Sequence, residues 1–511
     1  MEPSYSWLVP SIASLLTLAI LSKLFIFGRR RNLPPGPRPW PIVGNLNLIG
    51  PLPHQSLHNL SQKYGHLMQL KFGSFPVVVA SSAEMAKQFL KTHDQTFASR
   101  PAMAAGKYTT YNYNDLTWAP YGPFWRQGRK VFLSELFSLK RLESFEYIRV
   151  EERQASLARL FKLSGKPIRL KDHLSRLTLS VISRIVLGRK YVGESVDDKS
   201  IVVLEEFQEI LDELFLLNGV LNIGDWIPWI EFLDLQGYVK RMKTLKEKLD
   251  RFNEHVLVEH EVRRKLEGKG FVPRDMVDVL LELADDSYLE VKFTSDSVKG
   301  FIQDLIAGGT DTSATTVEWA LSELLKHPNL ITKAIEELDR VVGKERWVEE
   351  RDFPHLPYLD AIVKETMRLH PVAVLLAPHQ ALEDCQVAGY HISKGTRVFI
   401  NVWSMGRDPK LWESPEQFQP ERFLGKAIDV KGHSFELIPF GSGRRMCPGY
   451  NLGLKMICSS LANVLHGFHL KLPEDVKEED VSMEEVYGLA TFRKVPLVAV
   501  MEPRLPSYLY Q

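Results

Sequence analysis

Along most of this chain, hydrophobic and polar positions follow the period of a helix. From residue 200 to 217 apolar side chains return every three or four positions, at Val203, Phe207, Ile210, Leu211, Leu214 and Phe215, which predicts an amphipathic helix. Residues 238–267 are long and heavily charged and predict a surface helix or helix pair. From Ser295 to Lys326 there is no proline, and Thr294 or Ser295 can cap the start. That stretch predicts a helix of roughly thirty residues, ~45 Å long, enough to cross a whole domain. Short segments at 68–72, 77–80, 386–392 and 397–401, separated by Gly, Pro and Ser, predict strands. A second helix is predicted over 452–465. The expected fold class is mainly α with a small β portion.

The N-terminus has a different pattern. Residues 3–22 carry no charge, and the apolar run continues beyond Lys23 to Phe27. A helical span over about 5–27, at ~1.5 Å per residue, reaches the hydrocarbon thickness of a bilayer. Arg29, Arg30 and Arg31 follow at once, while the flank ahead of the span holds only Glu2. That asymmetry predicts a single-pass anchor with the bulk of the chain cytoplasmic. A cleaved secretory signal would carry its positive charge first and end in small residues. Residues 32–41 contain Pro34, Pro35, Pro37, Pro39 and Pro41, and read as a stiff, non-helical hinge. No repeat, low-complexity tract or polar linker follows. The expected organisation is an anchor over 1–31, the hinge over 32–41 and one catalytic body over 42–511.

Composition removes several classes of function. The chain has 511 residues, a formal charge of +1 and 44% apolar residues. A near-neutral chain has no global attraction for nucleic acid, and no such partner is expected. Three cysteines, Cys385, Cys447 and Cys458, cannot build a secreted disulfide framework.

Two stretches carry chemistry. In the middle of the long helix lies Ala307-Gly308-Gly309-Thr310-Asp311-Thr312-Ser313. Each glycine there costs ~1 kcal/mol relative to alanine, so the weakness needs a reason. Either another helix packs closely, or a flat ligand lies against the backbone. The polar pair Asp311 and Thr312 favours the ligand. The other stretch runs from Pro439 to Gly449 around Cys447, with glycines at 441, 443 and 449 that permit a tight loop. Arg444 and Arg445 beside Cys447, and a helix starting downstream, favour a thiolate. Cys385 and Cys458 have no such setting. A nucleophilic cysteine needs a histidine base, and no histidine signature pairs with Cys447. Zinc needs three or four Cys/His ligands at short spacing, and those are absent. A single thiolate suits haem iron, where the porphyrin supplies the other donors.

These residues resemble a known family. Phe440-x-x-Gly443-x-Arg445-x-Cys447-x-Gly449 is similar to the haem-binding signature of the cytochrome P-450 monooxygenases. Gly308 to Thr312 resembles the oxygen-activating groove of that family's central helix. Glu365-x-x-Arg368 resembles its paired-charge motif, completed by Pro420-Glu421-Arg422-Phe423. Trp125-x-x-x-Arg129 resembles the helix that reaches a haem propionate. The anchor and hinge fit microsomal members. The stretches 97–101, 224–229 and 502–506 resemble the plant group acting on specialised metabolites.

The resemblance implies haem b as cofactor, with Cys447 as axial ligand to iron and Phe440, Gly441 and Gly449 forming its loop. Trp125, Arg129, His379 and Arg445 are the implied propionate contacts. Asp311 and Thr312 are the implied catalytic residues, passing protons to dioxygen. Glu365, Arg368 and Arg422 are implied to be structural. Two electrons originating in NADPH would come from a membrane-bound reductase, because no Gly-x-Gly-x-x-Gly unit after a strand is present to bind NADPH here. A basic patch of Arg126, Lys130, Lys140 and Arg141 could dock that partner. Residues 108–118, 211–220, 301–310, 371–378 and 487–492 are expected to face a lipophilic small-molecule substrate. Val374 stands where similar plant sequences commonly carry a second proline. The location expected is the endoplasmic reticulum membrane, in contact with lipid. The favoured substrate is an acyclic terpenoid alcohol such as geranyllinalool or nerolidol, cleaved to a homoterpene. Flavonoid 3′-hydroxylation and brassinosteroid hydroxylation are the alternatives. Outside the class stand a haem-thiolate isomerase or dehydratase and a non-catalytic haem protein.

Overall fold

A computed structural model describes residues 32–193, 201–286 and 289–511, with Ser14 and Thr17 ahead of them. The expected anchor at 5–27 therefore lies outside the described residues. Among those that are described, no helix is long and apolar enough to cross a membrane.

The helix Ser295–Lys326 has the predicted bounds. Thr294 caps it in a capping box with Ser297, each side chain bonding the other residue's backbone N–H. Its 32 residues span ~48 Å. Two hydrophobic cores share it. Val298 to Ala307 pack into one, with residues from the helices Leu170–Leu187, Leu204–Gly219 and Tyr238–Glu267. Ala314 to Leu325 pack into the other, with Leu338, Ile362, Leu461 and Phe468. The glycine–threonine stretch lies between the cores, where the packing changes hands.

Around this axis the β portion is small. One sheet has the order Leu67–Phe72, Phe75–Ala80, Arg397–Ile400, His379–Gln380, with Val78 opposite Val398 and Val398 opposite His379. A second sheet joins Phe468–Lys471, Val498–Pro503 and Pro167–Arg169. The segment 386–392 is not one strand but a hairpin, Cys385–Val387 and Tyr390–Ile392. Its Ala388 and Gly389 have positive φ and make the turn.

The 238–267 segment is a single helix, Tyr238–Glu267, and is not merely a solvated surface. Val239, Met242, Leu245, Leu249, Phe252 and Val256 form a buried stripe along it. The amphipathic helix runs Leu204–Gly219, and the one after Cys447 runs Tyr450–Gly467. The proline-rich hinge contains no helix, but it is not a free spacer: Gln69 N–H donates to the Pro35 carbonyl at 2.9 Å, seating it on the first strand.

Candidate active site

Between the two cores lies a cavity of about 330 Å³. The central helix forms one wall through Asp304, Leu305, Gly308, Gly309, Thr312, Ser313 and Thr316. The loop from Pro439 to Gly449 forms the facing wall. The paired glycines have different surroundings. A Cβ on Gly309 would overlap Ile182 of the neighbouring helix, whereas a Cβ on Gly308 would meet nothing within 4 Å. Gly309 permits helix packing, and Gly308 leaves the backbone bare to the cavity.

The loop is set by its glycines. Gly441 and Gly443 have φ of 71° and 69°, and a Cβ on Gly443 would overlap the Leu90 carbonyl. The Cys447 N–H donates to the Phe440 carbonyl at 2.9 Å, closing the turn that presents the sulfur. Cys447, Phe440, Gly441 and Gly449 all line the cavity. Burial pushes the Cys447 thiol up, while the Gly449 backbone N–H and Arg129 pull the other way. The neighbouring arginines therefore do not do what their place in sequence suggested. Arg444 pairs with Asp94 at 3.2 Å, and Arg445 spends its guanidinium on the carbonyls of Ala98, Leu116 and Ala119. The charge that acts on the sulfur is Arg129, from a helix three hundred residues earlier in the chain.

One flank of the cavity is strongly cationic. Arg100, Arg129, Arg445 and His379 line it together. Arg445 is driven down to about 8 by burial and by the nearby charge of Arg100 and Arg129. Arg100 falls to about 10 by burial. His379 lies well below the usual histidine range, from burial and then Arg100. Among the described residues none of the three arginines forms an ion pair. Arg129 makes no side-chain hydrogen bond there either. Buried, mutually repelling cations that Asp115 opposes only at longer range fit a ligand that carries carboxylates on one edge. With the open face of Gly308 and a lone buried thiol opposite, that is the donor set for haem and its propionates. Among the described residues no metal-type cluster includes Cys447. The one found among the described residues is His260, Asp275 and Asp278, where Arg263 already bonds both carboxylates.

For three of the expected roles the structure adds detail. Trp125 lines the cavity, but its single N–H is committed to the Leu116 carbonyl at 3.1 Å. What it offers is its ring, with the Arg445 guanidinium 4.2 Å from the centroid. His379 lies with Nδ1 2.8 Å from the Phe97 carbonyl, to which it donates. Its other nitrogen can donate to a carboxylate only if the ring takes a proton. Asp311 and Thr312 do not act side by side. Thr312 faces the cavity and donates to the Gly308 carbonyl at 2.9 Å. Asp311 is fully buried behind the wall, accepts from Ser175 Oγ at 2.9 Å and keeps Oδ2 without a hydrogen bond. Burial raises Asp311 to about 6, with Lys171 and Ser175 opposing.

Glu365, Arg368 and Arg422 meet outside the cavity. Arg368 donates to both Glu365 oxygens, and Arg422 Nε to Oε1 at 3.0 Å.

Sequence reading assigned Arg100 no role beyond the stretch 97–101, and placed Asp304 only within the substrate-facing stretch 301–310. Arg100 sits in a loop and donates to the carbonyls of Thr117, Ala377 and Pro378. Asp304 was visible as a carboxylate inside the apolar run from Phe301 to Ala307.

The family model described as Cytochrome P450 matches residues 34–496. The chain belongs to the cytochrome P450 family. Its relatives include the trimethyltridecatetraene synthase and the dimethylnonatriene synthase of Zea mays, each 48% identical. The alignments cover 94% of this chain and 90% and 94% of those proteins. A flavonoid 3′-monooxygenase of Arabidopsis thaliana is 42% identical over 97% of this chain and 98% of its own length. Among solved structures, a zebra fish cytochrome P450 with abiraterone superposes with a TM-score of 0.74 at 28% identity. That match covers 88% of this chain and 100% of the zebra fish chain. This P450 is thus a monooxygenase with haem as cofactor, supplied with electrons by a reductase.

Proposed function

We propose that this P450 oxidises an acyclic terpenoid alcohol, geranyllinalool or nerolidol, with C–C cleavage to a homoterpene. The observation that carries this reading is the pair of relatives at 48% identity. Their names describe a sixteen-carbon tetraene and an eleven-carbon triene, each four carbons short of a whole number of isoprene units. The cavity supports it: beyond the cationic flank its walls are Leu116, Ile182, Phe215, Leu305, Val372 and Leu489, suited to a hydrocarbon chain. A second reading, flavonoid 3′-hydroxylation, rests on the relative at 42%.

Cys447 would hold the iron and Arg129, Arg445 and Arg100 the propionates, whose negative charge would favour a proton on the neighbouring His379. When bound, haem supplies the activation of dioxygen with two electrons originating in NADPH. The chain excludes water, orients the substrate and supplies protons. Thr312 already gives its own proton to Gly308, which leaves its oxygen lone pairs free to accept from a donor in the cavity. Asp311 is the acid behind it, held by Ser175.

The enzyme works at the endoplasmic reticulum membrane, anchored by residues 5–27 with its body in the cytoplasm. Gly73 N–H donates to the Val43 carbonyl and Ser74 N–H to the Trp226 carbonyl. One tight turn thus gathers the exposed Trp40 and Ile42 toward the exposed Trp229, Phe232 and Leu235. Large exposed apolar side chains close to such a turn suit contact with lipid.

The test is aerobic turnover in microsomes holding the full chain and a plant reductase, with NADPH and geranyllinalool, nerolidol or naringenin. A truncated hydrocarbon from a terpene alcohol, reduced in Asp311→Asn and Thr312→Ala, is the expected result. One added oxygen on naringenin alone overturns the substrate reading and leaves the monooxygenase intact. Recovery of the enzyme in the soluble fraction overturns the location.

A further inference from the structure

Asp304 is the one carboxylate among the residues lining the cavity. It stands on the central helix four residues before Gly308 and eight before Thr312, so the three share a face. Its Oδ2 accepts the Leu116 N–H at 2.6 Å, and its Oδ1 accepts the Thr117 hydroxyl at 2.8 Å. The nearby Thr117 backbone N–H also favours the charged carboxylate. A carboxylate offers about four acceptor positions, so acceptor capacity is left over. No basic side chain pairs with Asp304 among the described residues. Burial lifts Asp304 to about 6. Burial and the charge of Asp304 also raise Asp115, against the backbone N–H groups of Trp118 and Ala119 and the charge of Arg445. Above about pH 6 Asp304 is charged and serves as an acceptor.

We propose that Asp304 is the polar anchor of the substrate, its remaining carboxylate lone pair accepting a hydrogen bond from the hydroxyl of a lipophilic alcohol. This rests on the terpenoid-alcohol reading. Apolar walls hold a hydrocarbon without fixing its direction, and one charged acceptor in such a wall sets it. Gly308, ~6 Å further along the helix axis, presents no side chain and leaves open space. An alcohol held at Asp304 lays the carbons next to its hydroxyl-bearing carbon beside that gap. Cleavage adjacent to the carbinol requires the reacting carbon within a few bonds of the oxygen, and this register provides it. Thr117 and Leu116 aim the carboxylate, so Asp304 acts as a positioning residue for the reaction.

The experiment is isothermal titration calorimetry of the full-length, haem-loaded enzyme with nerolidol and with its methyl ether, which keeps the skeleton and lacks the donor. Wild type is expected to bind the alcohol about tenfold more tightly than the ether, the scale of a charge-assisted hydrogen bond. Asp304→Asn still accepts from Leu116 and is expected to bring that ratio close to one. The affinity of the ether should stay within about twofold of wild type, since its contacts are apolar. An equal loss for alcohol and ether in the variant means that Asp304 only braces the 115–118 loop, and overturns the proposal. So does a wild-type ratio near one, even if nerolidol binds and is turned over, in which case the terpenoid reading survives alone. If naringenin binds and neither terpenoid does, the terpenoid reading falls and the anchor with it.

Discussion

Glu365 and Arg368 stand one helical turn apart with both side chains fully buried, Arg368 Nε 2.7 Å from Oε2 and Nη2 2.8 Å from Oε1. At that spacing on a surface the pair would be worth a few tenths of a kcal/mol. Buried, it is a junction. Arg368 also donates to the carbonyls of Gly406, Pro415 and Gln417, and Glu365 accepts the Gln419 N–H and Arg422. The helix Pro357–Leu369 is thereby tied to the segment that leads into the Cys447 loop.

Arg368→Ala leaves Glu365 buried with only Arg422 to oppose it. Removing one partner of such a pair costs about 3–5 kcal/mol. Arg368→Lys should fail nearly as badly, because an ammonium cannot serve two carboxylate oxygens and three carbonyls in a plane. The expected outcome is a collapse in the yield of haem-loaded protein for both variants, measured by the carbon monoxide difference spectrum per milligram. A normal yield for the lysine variant would show that charge alone suffices.

Cys447→Ser should separate the loop from its sulfur. The turn is closed by a backbone bond from residue 447 to Phe440, which the substitution keeps. Far-UV circular dichroism and thermal unfolding of the apoprotein should match wild type. Turnover should fall by more than ~10³, the scale on which a lost thiolate changes dioxygen chemistry. A serine variant retaining a tenth of wild-type turnover would remove Cys447 from the reaction.

Asp311 predicts a stability effect with a definite sign. Its carboxyl is raised by burial to about 6, above its unfolded value near 4. The folded protein therefore holds that proton more tightly than the unfolded chain. Stability from this group is complete below pH ~4 and is lost as pH rises through ~6. At pH 7.5 the penalty is at most about 3 kcal/mol, from a shift of roughly two units. Asp311→Asn escapes it and should unfold at a higher temperature than wild type at pH 7.5, with the gap closing by pH 4.5. Turnover should nonetheless fall at least tenfold, since an amide cannot pass on a proton. A gap that stays constant with pH would mean that Asp311 titrates normally.

The fold was far more legible than the site. The bounds of Ser295–Lys326 follow from a capping residue and the absence of proline, which are local facts. The thiol loop was readable because its glycines and Cys447 lie within eleven residues of one another. The cationic flank was only half readable. Arg100 contributes through carbonyls 277 and 278 positions away, and no spacing in the chain announces that. The direction of a side chain was also beyond a motif. Asp311 and Thr312 are neighbours in sequence, but ~100° of helical rotation separates them, so one faces the cavity and the other Ser175.

The glycine pair allows the sharpest contrast between neighbouring positions. Gly309→Ala would place a Cβ 2.6 Å from Ile182 Cγ1 and closer still to Cδ1, so a helix seam must open. Such overpacking costs about 1–3 kcal/mol. Trimming the opposing side chain in Gly309→Ala/Ile182→Ala should recover most of it, a coupling that a double-mutant cycle on thermal unfolding would measure. Gly308→Ala meets nothing. It should raise apoprotein stability by up to ~1 kcal/mol through helix propensity, while its methyl group enters the space where the substrate chain lies. KM for the terpene alcohol should rise while the unfolding temperature of the apoprotein holds or increases. If Gly308→Ala destabilised the protein as much as Gly309→Ala, both glycines would serve packing, and the bare backbone at 308 would have no part in binding.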